Sequence, residues 1–165
     1  MSRTPNEMPA ENSRTFLVVI DETPECDRAV YYASRRAART HGKLFMVAVA
    51  SPPGGNQEWL GVSELMRAEA LEEAENRLDE FAARARNLAG IDPQRVVREG
   101  KKPEEILKLI QENREIAILV LAAGTGAEGP GPLVASLAGG GSGTFPIPIT
   151  IVPGHLTDAQ LDALS

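Results

Sequence analysis

The sequence predicts an α/β fold: a single doubly wound domain whose five-stranded, mainly parallel sheet carries helices on both faces. Three observations predict it. Short apolar runs alternate with longer segments of helical periodicity, in the order β-α-β-α-β-α-β-α-β, and such alternation builds parallel sheets. The strongest runs, TFLVVI at 15–20, KLFMVAVA at 43–50 and IAILVLAA at 116–123, are continuously apolar, as strands covered on both faces are. The chain has 165 residues, close to the ~150 of one domain and long enough to bury a core without disulfides or a metal.

The elements follow in order. Residues 1–13 lack periodicity and hold Pro5 and Pro9, so they read as a flexible tail. The first strand, Thr15–Ile20, ends at Asp21. A helix begins near Pro24–Glu25, where Cys26, Ala29, Val30, Ala33 and Ala37 form a slim apolar stripe. Glu25 and Asp27 stand early and Arg35, Arg36 and Arg39 late, an order that complements the helix dipole. His41-Gly42 supplies its stop. The second strand runs into the break SPPGG at 51–55.

A long helix is predicted from about Ser63 to Leu88. Leu71, Leu78 and Ala85 recur every seven residues, as do Ala74, Phe81 and Leu88, with acids and arginines between. About three such repeats are short for a coiled coil, so this is read as an amphipathic helix covering the sheet. Gly90 and Pro93 end it. Gln94–Glu99 is a more polar strand, expected at a sheet edge. Pro103 opens the next helix at its preferred first position, followed by Glu104 and Glu105, with Ile106, Leu109, Ile110 and Asn113 inward. Ile116–Ala123 is buried strand again. A glycine-rich segment, a short helical piece at Pro132–Ala138 and a last strand at Ile149–Val152, behind Pro146 and Pro148, complete the domain. The domain spans 14–153, and 154–165 is a tail with a helical turn or two.

Charge and composition exclude several functions. Against 17 Lys and Arg stand 23 Asp and Glu, a net −6, which disfavours nonspecific nucleic-acid binding and anionic membrane surfaces. The seven aromatic residues, four Phe, two Tyr and one Trp, are few for base-stacking platforms. No run of ~18 apolar residues predicts a membrane span. The polar N-terminus and the single Cys26 fit the cytoplasm. His41 and His155 stand apart from any ligand pattern, so no metal site is expected. No nucleophile–base set stands out, so an enzyme is not expected.

Four segments together resemble the universal stress protein family: TFLVVIDETPECDRAV, KLFMVAVASPP, REGKKPEEILKLI, and AILVLAAGTGAEGPGPLVASLAGG with PIPITIVP. The resemblance covers about residues 15–153. It implies strand order 3-2-1-4-5 and a homodimer paired through the last strand. One branch of that family binds ATP between strands 1 and 4, and another does not. In binders the aspartate after strand 1, here Asp21, lies near the ribose, and a backbone group at the end of strand 2, here about Val49, touches adenine. A loop of pattern Gly-x-x-Gly-x(9)-Gly-Ser/Thr wraps the phosphates.

That loop is matched in part. Gly126 and Gly129 are followed at the right spacing by Gly139, but Gly140 stands where Ser or Thr belongs, and Ser142 comes two positions late. With Gly124, these glycines would let backbone amides approach an anion. Against this, residues 121–154 contain no Lys or Arg, Glu128 adds a negative charge, and Pro130 and Pro132 remove amide donors. ATP with Mg2+ as cofactor, or no cofactor in a remodelled cleft, both remain open at this point. Cys26 reads as a buried structural thiol and Lys101-Lys102 as a charged turn that could reach an anion. Trp59 reads either as a lid or partner anchor or as a residue packed back on the core.

Overall fold

In a computed structural model, which describes residues 14–52, 61–138 and 145–165, five parallel strands form one sheet. The elements are β1 (Thr15–Val19), α1 (Cys26–Arg39), β2 (Lys43–Ala50), α2 (Glu64–Ala89), β3 (Gln94–Glu99), α3 (Lys102–Glu112), β4 (Ile116–Ala123), α4 (Pro132–Ala138), β5 (Ile149–Pro153) and α5 (Asp158–Leu164). The strand order is β3-β2-β1-β4-β5, as expected. The tail at 1–13, Trp59, Gly139 and Ser142 lie outside the described residues.

The continuous apolar runs are explained by two cores, one on each face of the sheet. Phe16, Val18, Leu44, Met46, Ala48 and Val120 face one layer, with α1, α2 and α5. Leu17, Val19, Phe45, Val47, Leu119 and Leu121 face the other, with α3 and α4. Successive side chains of a strand point to opposite faces, so a strand between two helical layers needs apolar residues throughout.

The long helix covers the sheet as read. Ser63 caps it by accepting from the Met66 amide at 3.2 Å, and Gly90 ends it in the left-handed conformation at φ 68°. Ala74, Leu78, Ala82 and Ala85 are buried beneath it. His41 and Gly42 end α1 as expected: His41 takes a positive φ of 55°, and Gly42 allows a close approach, since a Cβ there would stand 2.1 Å from the Arg14 carbonyl oxygen. Asn113, expected on the inner face of α3, instead caps its C-terminus and donates from Nδ2 to the Leu109 carbonyl at 2.9 Å.

Residues 154–165 form α5, and it docks. Its start is a capping box, in which the Thr157 hydroxyl accepts from the Gln160 amide at 3.2 Å and the Thr157 amide donates to Oε1 of Gln160 at 2.9 Å. Leu161 is wholly buried in the core. Arg28 donates to the Leu156 carbonyl at 2.9 Å, Arg39 to the Asp162 carbonyl at 2.7 Å, and the Tyr31 hydroxyl to the Asp162 carboxylate at 2.8 Å. Asp27 ties this cluster to α2 through Arg84 at 2.9 Å. Burial alone would push the Asp27 carboxyl up, but hydrogen bonds from Arg84 and Arg28 outweigh it and hold it below its ordinary value.

β5 is the outer strand, paired only with β4 among the described strands. Pro146 and Pro148 precede it and Pro153 closes it. Ile151 on it is 39% exposed.

Candidate functional site

Strand order reverses between β1 and β4, which continue to opposite sides of the sheet. Ligands of such sheets bind outside the strand carboxyl ends at this point. A cavity of about 600 Å3 lies there. Val19, Asp21, Glu22, Thr23 and Glu25 line it from β1 and the turn into α1, and Ser51 and Pro52 from the end of β2. Gly100 to Pro103 line it from the start of α3, and Leu121, Ala122 and Pro130 to Val134 from β4 and the start of α4. Leu121, Val19 and Val134 give it an apolar floor, which is an extension of the core under α3 and α4.

Asp21 is on the wall of this cavity, as the order of elements requires. Its Oδ1 accepts from the Thr23 amide at 3.0 Å and from the Thr23 hydroxyl at 2.5 Å. That local turn fixes the carboxylate at the mouth of α1. No hydrogen bond to Oδ2 is formed by the described residues, so one oxygen can meet a ligand.

The other sequence candidates fall differently. Val49 is buried within β2, opposite Arg98 of β3, and does not line the cavity; Ser51 and Pro52 do. Gly124, Gly126 and Gly129 form a closed turn beside it. The Gly124 amide donates to the Pro130 carbonyl at 3.0 Å and the Gly129 amide to the Gly126 carbonyl at 3.1 Å. Gly129 and Gly131 have φ values of 87° and 110°, so both need glycine. Two of the amides expected to hold phosphate are therefore bonded within the turn, and the cavity wall itself is Pro130, Gly131 and Pro132. The two prolines offer no donor there. α4 has seven residues, short as expected.

Sequence reasoning missed Glu22, Glu25 and Ser51 as wall residues. Position was the available signal: each follows closely on the carboxyl end of a central strand. Glu25 is held by packing, since a Cβ on Gly124 would stand 3.2 Å from its Oε1 and one on Gly154 2.8 Å from its Cβ. Lys101 and Lys102 are the only basic residues on the described wall. Lys101 lies 3.7 Å from Glu104, and Lys102 forms no ion pair with a described residue.

The remaining candidates are structural. Cys26 is buried, its thiol pushed up to about 12 by burial above all, which leaves it protonated and unreactive. Among the described residues no group of three or more His, Cys, Asp or Glu could hold a metal ion by itself. No described helix is long and apolar enough to cross a membrane.

Comparison with known proteins fits this architecture. The model of the universal stress protein family matches residues 12–153. The solved structure of a universal stress protein from Lactobacillus plantarum superposes with a TM-score of 0.70 at 15% identity, covering 86% of this chain and 99% of that one. A family protein from Arabidopsis thaliana with AMP bound gives 0.60 at 16% identity, over 85% and 91% of the two chains. The Archaeoglobus fulgidus universal stress protein in complex with dAMP gives 0.55 at 17%, over 86% and 99%. At these identities the likeness shows the fold. No curated protein sequence matches the chain.

Proposed function

The chain belongs to the universal stress protein family, and on that premise we propose that it is a stress-response regulatory module that binds an adenine nucleotide in the cleft at the carboxyl ends of β1 and β4. The observation that carries this reading is the cavity of about 600 Å3 with Asp21 on its wall at the switch point. Its size and apolar floor suit one small ligand. The relatives crystallised with AMP and dAMP support an adenine nucleotide as the class. In this reading the cleft, in a cytoplasmic protein, binds without catalysing, and Asp21 meets the ribose. With ATP, Mg2+ would supply the neutralisation of phosphate charge that the α4 side, which has no basic residue, does not.

Calorimetric titration of the stripped chain tests it. Adenine nucleotides are expected to bind with micromolar affinity, Asp21→Ala to lose about tenfold, and EDTA to weaken ATP far more than adenosine. Absence of heat with every adenine compound at two temperatures overturns the reading.

A second reading is a ligand-free interaction protein of the same fold. The closed 124–130 turn favours it, because a nucleotide must displace or bypass those hydrogen bonds. Both readings share a homodimer paired through β5, whose outer edge carries the half-exposed Ile151. Sedimentation at micromolar protein is expected to give twice the chain mass; monomer alone would discard the dimer.

A further inference from the structure

The cleft divides its charge between two walls. Lys101 and Lys102 stand where β3 passes into α3, while Asp21, Glu22 and Glu25 stand where β1 passes into α1. The α4 side has no basic residue, because residues 121–154 contain no Lys or Arg, and its prolines lack amide donors. A negatively charged ligand group thus has one favourable place in the described cleft. Lys102 is unpaired among the described residues and half-buried, and Lys101 holds only a long contact to Glu104 at 3.7 Å. Each is a compact, strongly hydrated charge on a flexible stem, suited to a phosphate oxygen. A single phosphate can stay at that corner. A triphosphate cannot remain there without running its charge back toward the wall that holds Asp21 and Glu25, with Glu22, whose carboxylate lies 4.0 Å from Arg77, at its rim.

We propose that Lys101 and Lys102 take the phosphate of a nucleoside monophosphate, and that the carboxylates of the opposite wall select against the metal-free triphosphate. The proposal rests on the adenine-nucleotide reading and adds the ligand's phosphate number and the residues that set it. It also assigns the phosphate to the start of α3 in place of the glycine turn.

The test is titration of the full chain with adenosine, AMP and ATP in EDTA. AMP is expected to bind about tenfold more tightly than adenosine and than metal-free ATP. Joint replacement Lys101→Met and Lys102→Met brings AMP down to the adenosine level and changes adenosine by less than about twofold. Glu22→Gln, at a side chain 70% exposed, narrows the gap between ATP and AMP. Equal affinity for AMP and adenosine in the unaltered protein, or an AMP preference that survives loss of both lysines, overturns the lysine assignment while the nucleotide reading stands. Metal-free ATP binding more tightly than AMP overturns the selection by the carboxylates. If adenosine, AMP and ATP all fail to bind, the nucleotide reading falls and takes this proposal with it.

Discussion

Replacing Gly42 by alanine is expected to cost about 3 kcal/mol or more, or to prevent folding. The added Cβ would lie 2.1 Å from the Arg14 carbonyl oxygen and 3.1 Å from its carbon. Both are backbone atoms and cannot swing aside as a side chain can. The same oxygen accepts from the Lys43 amide at 2.9 Å, beside the first β1–β2 pair, Thr15 with Lys43. Relief of the clash therefore pries apart the central strands where their pairing starts. Gly90→Ala is the matched comparison: Gly90 has φ +68° but nothing within 4 Å of an added Cβ. Conformational strain alone should cost it about 1–2 kcal/mol. Urea unfolding of both variants checks the contrast, and a Gly42→Ala midpoint above that of Gly90→Ala would refute the close approach.

Leu161→Ala is expected to lose about 2–5 kcal/mol, the range for a leucine emptied from a packed core. Leu161 is fully buried and belongs to the same apolar cluster as Ala29, Val30 and Ala33 of α1. Leu164, on the same helix but 61% exposed, should change stability by less than about 0.5 kcal/mol when made alanine. Thermal melts separate the two, with a drop on the order of 10 °C for Leu161→Ala and almost none for Leu164→Ala. Equal effects would mean that α5 is not seated on α1.

The fold was legible because the three central strands lie between two apolar layers and so leave uninterrupted runs in the sequence. The polar run 94–99 gave away its edge position by the same logic. The docking of α5 was half legible. Thr157 and Gln160 spell a capping box, but the partners that hold the helix, Arg28, Tyr31 and Arg39, are more than 120 residues away in sequence. The glycines were legible as breaks but not in what they do. Gly42 stands in the stop of α1, and the close backbone approach it serves shows only once β1 and β2 are paired. Gly126 and Gly129 read as a phosphate cradle, yet the Gly129 amide is spent inside its own turn.

In the candidate site, Asp21 was legible because topology alone brings the end of the first strand to the switch point. For the end of β2 the resemblance pointed to a backbone group at about Val49; the cavity wall there is Ser51 and Pro52, because the sheet buries the side chains that precede them. The lysines at 101 and 102 look like an ordinary charged turn until β3 takes its place at the edge and α3 crosses back over the sheet.

The prolines around β5 bear on how the molecule behaves in a crowded solution. Proline gives no amide to a neighbouring strand, so Pro148 and Pro153 leave only those amides of Ile149–Val152 that face away from β4 to donate along the outer edge. A window of that length accepts a short strand in one alignment. It offers little to a chain that would add strand upon strand. The opposite border, β3, carries Arg95, Arg98 and Glu99, and charges on an edge strand discourage the same growth. The sheet is thus closed to fibre-like extension at both borders, by missing donors on one side and by charge on the other, without the need to cover either one.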